Sequence, residues 1–122
     1  MVAADGFADV LALAAKGLIG RDRPPVRYPE PEPLVRVPHD HSFPSGHAAT
    51  SFACATILAF AVPRLALPFY VLAAAIAFSR VYVGVHYPLD VVGGAALGVA
   101  VATALRLLVR ARRRSPPPPP PG

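Results

Sequence analysis

The chain has 122 residues, of which 54% are hydrophobic and 16% charged, and its mean hydropathy is +0.47. Soluble domains carry about 25% charged residues, so the composition argues against an ordinary water-soluble surface, and the length holds one small domain. The formal net charge of +5 is no nucleic-acid signature until the arginines are placed, and their placement follows membrane topology instead.

The first apolar stretch covers 7–19 and carries Asp9 and Lys16. It lacks the basic-then-apolar pattern of a secretory leader, so the spans themselves are expected to direct insertion. Residues 20–44 follow, with seven prolines mixed among Arg, Asp and Glu; they predict an aqueous loop of extended or polyproline II backbone. Further apolar stretches run over 46–62, 65–78 and 91–109. Segments 49–60 and 65–78 show no polar stripe of helical period, and a helix that is apolar all round is buried in protein or lipid.

The fold expected is therefore all-α, a membrane bundle of about four helices. The second and fourth approach the ~17–25 residues needed to cross a bilayer; the first and third are shorter. Small residues at 48–51 and 93–96 suit close helix approach in lipid. Cys54 is the only cysteine and can form no internal disulfide. Beyond 109 come Arg110, Arg112, Arg113 and Arg114, then Ser115 and six prolines. A single domain is expected to cover 1–114, with 115–122 a disordered or polyproline II tail.

Residues suited to phosphate chemistry stand where these segments end. Lys16, Arg23 and Pro24 close the first; Pro44, Ser45, Gly46 and His47 open the second; Ser79 and Arg80 end the third; His86 and Asp90 open the fourth. Antiparallel spans put all of them on one side. Pro44 fits the first turn of a helix, whose free amides and positive dipole end suit an anion, with Ser45 and Gly46 cradling an oxygen. Asp90, one turn after His86, could accept its Nδ1 proton and leave Nε2 to attack phosphorus. Arg23 and Arg80 suit a bidentate grip on phosphate oxygens, and Lys16 adds a third positive charge. Taken singly, each block also reads as ordinary helix capping or interfacial anchoring.

Together, Lys16-x6-Arg23-Pro24, Pro44-Ser45-Gly46-His47 and Ser79-Arg80-x5-His86-x3-Asp90 resemble the three-part signature of the type 2 phosphatidic acid phosphatase (PAP2) superfamily, which also contains the vanadium haloperoxidases. Every signature position matches, and the resemblance runs from about Lys16 to the last span. It implies a phosphatase without metal or other cofactor. In that scheme His86 is the nucleophile, Asp90 supports it and His47 protonates the leaving group. Lys16, Arg23 and Arg80 hold the phosphate with help from Ser45 and Gly46, while Pro24, Pro44 and Ser79 shape the pocket. The spans point to the branch acting on lipid phosphates or diphosphates, such as phosphatidic acid, phosphatidylglycerol phosphate or polyprenyl diphosphates. A sugar-phosphate phosphatase is the nearer alternative, and a silent membrane scaffold the one from another class.

Membrane members of the family usually have two more helices before the one that ends in the first motif. The chain is therefore expected to be a fragment, to have a misassigned start, or to be a minimal form for which a homo-oligomer is open. Arg64 and the arginines after 109 lie opposite the motifs, and basic residues mark the cytoplasm. This predicts an integral protein of a bacterial-type plasma membrane, with the site facing outward and the tail inside.

Overall fold

A computed structural model describes residues 2–24, 34 and 41–114 of the chain. Its described residues form four helices and no strand: α1 (Val2–Ile19), α2 (Gly46–Ala61), α3 (Ala66–Tyr82) and α4 (Pro88–Arg114), with a short 3-10 turn at Pro63–Leu65 before α3. The polyproline reading of most of the 20–44 loop and of the 115–122 tail falls outside the described residues.

Small residues decide how the bundle packs. Its buried apolar positions are almost all alanines, among them Ala48, Ala49, Ala53, Ala73, Ala77 and Ala102. Larger side chains such as Leu67, Val71, Leu72 and Phe78 on α3, and Val92, Leu107 and Leu108 on α4, lie exposed on the outside. A water-soluble bundle would bury the large apolar groups, whereas in a bilayer the outer face meets hydrocarbon and close backbone contact holds helices together. Two helical segments are long and apolar enough to cross a membrane, Pro63–Tyr82 and Pro88–Arg114. The protein is an integral membrane protein.

Helix α2 sits at the centre and packs against α1, α3 and α4. Its closest neighbour is α4, where a side chain on Gly94 would meet the Ser45 carbonyl and one on Gly98 the Ala49 carbonyl. Only glycine lets the two backbones approach so far. Toward α3 the joint is polar: Thr56 Oγ1 donates to the Phe52 carbonyl at 2.7 Å and lies 2.9 Å from the Tyr70 hydroxyl.

Segment lengths differ from the sequence expectation. Helix α2 spans 16 residues, about 24 Å at 1.5 Å per residue, because Ser45 caps its start and the chain leaves it at Val62. With the 3-10 turn, the third span reaches 20 residues. Helix α4 runs for 27 residues, about 40 Å, so Arg110, Arg112, Arg113 and Arg114 belong to the helix and not to a tail.

The alternating chain direction brings the C-terminal ends of α1 and α3 beside the N-terminal ends of α2 and α4. Two turns aim the chain back into this end. Gly20 N–H closes α1 on the Lys16 carbonyl at 3.0 Å. Gly84, with φ 83°, turns the chain after α3 so that His86 comes back into the bundle.

Candidate active site

At that end lies a cavity of about 530 Å³ lined by Lys16, Arg23, Gly46, His47, Arg80 and His86, with Ala12, Leu13, Thr50 and Ser51. All three motifs contribute to it. Lys16 faces inward from the last turn of α1, buried on the same helix face as Ala12. Arg23 follows the Gly20 turn and is buried, as is His86, although exposed basic side chains are the rule.

The nucleophile candidate is held by donors of defined sense. Arg23 Nη1 lies 3.0 Å from His86 Nε2 and also donates to the Val85 carbonyl at 3.1 Å. A guanidinium can only donate, so Nε2 is the acceptor and carries the lone pair, and the proton of the neutral ring is on Nδ1. His86 Nδ1 stands 3.7 Å from Asp90 Oδ2 and has no hydrogen-bond partner. The expected Nδ1–Asp90 pairing is thus a close approach and not a hydrogen bond, and three other donors hold the carboxylate. Burial first, then the charge of Arg23 and a smaller push from Lys16, lower the His86 pKa to about 4, against the opposing pull of Asp90.

Those other donors escaped the sequence reading. Asp90 is fully buried in the first turn of α4. Its Oδ1 accepts from Arg21 Nη1 at 3.2 Å; its Oδ2 accepts from the Ser42 hydroxyl and from the Tyr87 N–H at 2.7 Å. Arg21 also lies over the Tyr87 ring, 4.3 Å from its centroid. The one available signal was proximity: Arg21 stands two residues before Arg23 and Ser42 two before Pro44.

The second motif starts α2 in a different register from the expected one. Pro44 is not in the first helical turn: the N-cap is Ser45, and Pro44 precedes it after a cis Phe43–Pro44 peptide. Ser45 is enclosed, with its Oγ accepting the Ala48 N–H at 3.4 Å and its own N–H bound to the Asp90 carbonyl at 2.8 Å. The hydroxyl is thus engaged as a cap, while Gly46 and the exposed His47 reach the cavity. On α3, Arg80 lines the cavity and its Nε is buried without a hydrogen-bond partner. Ser79 is exposed and donates to the Ile76 carbonyl at 2.6 Å, outside the cavity, because neighbouring positions on a helix point about 100° apart. Pro24 is half-buried just after Arg23.

The chain is similar over most of its length to several known proteins. A family model described as PAP2 superfamily matches residues 1–114. The decaprenylphosphoryl-5-phosphoribose phosphatase of Mycobacterium tuberculosis is 42% identical over 94 residues, covering 77% of this chain and 51% of that protein. Among solved structures, LpxE of Aquifex aeolicus superimposes with a TM-score of 0.75 at 31% identity, covering 83% of this chain and 61% of that one. The transmembrane PAP2-type phosphatidylglycerolphosphate phosphatase of Bacillus subtilis gives 0.66 at 28%, covering 94% and 60%. The chain thus spans about half to three fifths of the length of these relatives.

Proposed function

Because the chain belongs to the PAP2 superfamily, we propose that it is a membrane phosphatase that releases phosphate from lipid phosphate monoesters or diphosphates through a phosphohistidine on His86. One observation carries the reading: a neutral, buried His86 directs its Nε2 lone pair at Arg23, in a cavity shared with Lys16, Arg80 and His47.

Arriving phosphate offers Arg23 a charged acceptor in place of the ring nitrogen, and charge-assisted bonds are about twice as strong as neutral ones. As Arg23 turns to the phosphate, Nε2 is uncovered. Its lone pair forms a bond to phosphorus while the bond from phosphorus to the leaving oxygen breaks, and His47 gives that oxygen its proton. Lys16, Arg23 and Arg80 bind the remaining oxygens, joined by donors at the N-terminal end of α2 around Ser45 and Gly46. Asp90 balances the charge that develops on the ring. Water then attacks phosphorus and loses a proton to His47, the P–N bond breaks, and His86 returns to its neutral state with inorganic phosphate released.

A lipid substrate is supported by the position of the cavity at one end of a membrane bundle, where a headgroup at the bilayer surface meets it. The relatives' names point the same way: decaprenylphosphoryl-5-phosphoribose and phosphatidylglycerolphosphate are both lipids that carry phosphate. The exposed arginines of α4 and Arg64 lie at the opposite end. By the bias of basic residues toward the cytoplasm, that end faces inward and the cavity outward.

The test is phosphate release in EDTA by the detergent-purified chain, from a panel of lipid phosphates and diphosphates with glucose 6-phosphate as the water-soluble comparison. The expected result is release from lipid substrates that is abolished in His86→Ala. Preference for glucose 6-phosphate overturns the lipid assignment; release that survives His86→Ala overturns the mechanism.

A further inference from the structure

We infer that Arg21 and Ser42 are positioning residues of this reaction: they hold the Asp90 carboxylate in place beside His86 through bonds that do not involve the ring. The inference rests on the phosphatase reading and adds to it two residues that neither line the cavity nor belong to the three motifs.

A buried carboxylate is costly without donors, and Asp90 has three, from Arg21, Ser42 and the Tyr87 backbone. Ser42 and Arg21 are themselves joined, Ser42 N–H donating to the Arg21 carbonyl at 2.7 Å. The two strands of chain that leave α1 and enter α2 therefore close together on the first turn of α4. The arrangement fixes the carboxylate independently of the ring it serves, 3.7 Å from His86 Nδ1.

That separation matters for the nucleophile. Among the described residues, the groups that face His86 are Lys16 from α1, Arg23 from the first loop, His47 from α2, Arg80 from α3 and Asp90 from α4. Asp90 is the one anion among them. With its charge uncompensated, the carboxylate would draw a proton onto the imidazole and remove the Nε2 lone pair. Arg21 offsets part of that charge, and Ser42 and the Tyr87 N–H share Oδ2, which adds to the burial and the Arg23 charge that already favour a neutral ring. When the P–N bond forms and the ring gains positive character, the preplaced carboxylate is already beside it and needs no reorganisation.

The experiment compares Arg21→Gln, Arg21→Lys and Ser42→Ala, each alone and combined with Asp90→Asn. Arg21→Gln and Ser42→Ala are expected to lower kcat by about 10- to 100-fold and to change KM by less than about 2-fold, with Arg21→Lys retaining most activity. In the Asp90→Asn background the same changes are expected to cost less than about 3-fold, since they act through one group. Full losses in both backgrounds with a raised KM would show that Arg21 grips phosphate directly, and overturn the inference. So would losses that follow the melting temperature alone with an unmoved pH profile.

A second readout needs no turnover. By nitrogen-15 NMR of the imidazoles, His86 is expected to titrate at higher pH in Arg21→Gln than in the unaltered chain, and unchanged in Arg21→Lys. An unmoved titration overturns the inference even in an active enzyme. A moved titration in a chain that releases no phosphate sinks the phosphatase reading and supports the positioning geometry.

Discussion

The two ends of the bundle use arginine in opposite ways. At the cavity end, Arg23 is 3% exposed and fastened to His86 and the Val85 carbonyl, and Arg21 is paired with Asp90. At the far end, Arg110, Arg112, Arg113 and Arg114 stand exposed along the last turns of α4, while Arg106 lies 3.8 Å from the centroid of the Phe60 ring. Net charge therefore says little about where chemistry occurs. A buried cation is costly unless fixed partners surround it, and that fixed environment preorganises the cavity end for an anion. The exposed arginines stand outside such an environment, and the proposed orientation assigns them to the inner face of the membrane.

The largest break in this contrast is expected from His86→Ala, which removes the proposed nucleophile: phosphate release should fall by about 10⁴-fold or more, with the helical circular dichroism unchanged. Next comes Arg23→Gln, with a loss of about 10²- to 10³-fold for a donor aimed at developing charge. Arg23→Lys should recover only part of that, since one ammonium does not reproduce a planar fork. Equal activity of the Gln variant would place Arg23 among the topological arginines after all.

The pH profile sharpens the contrast. A nucleophile must be neutral, and burial and Arg23 lower the His86 pKa to about 4. With substrate ionisation divided out, the acid limb of kcat/KM should thus lie near pH 4 and not near the ordinary histidine value of about 6.5. Bound phosphate favours the charged ring, so the limb of kcat should lie higher. Lys16→Gln removes a cation that disfavours protonation and should move the kcat/KM limb upward.

Smaller effects are expected from packing and from the far end. Gly98→Leu forces a side chain against the Ala49 carbonyl and should destabilise the α2–α4 joint by about 1–3 kcal/mol, read as a lower melting temperature in detergent. Replacing Arg110, Arg112, Arg113 and Arg114 by Gln should leave kcat within about 2-fold and shift the orientation of inserted chains, read by protease access to a C-terminal tag. A large fall in kcat would mean that the two ends are coupled.

Much of this protein is legible in its sequence. Apolar stretches mark the four helices, and hydropathy is a local property that survives without knowledge of the fold. The cavity-forming set of Lys16, Arg23, Gly46, His47, Arg80 and His86 could be read because segment ends alternate sides in an antiparallel bundle, so end-placed residues converge whatever the packing angles. Tertiary structure decided the rest. It gave Arg21 and Ser42 to Asp90, set Arg23 against His86 Nε2, turned Ser79 outward beside an inward Arg80, and placed Ser45 as the cap of α2. It also made the shortest of the four helices the central one, through glycine contacts at 94 and 98. These outcomes depend on helix rotation and on the path of the chain between helices, and a few degrees or one residue of register changes which side chain faces the cavity. Composition and spacing set which residues reach that end; only non-local packing determines which atoms meet there.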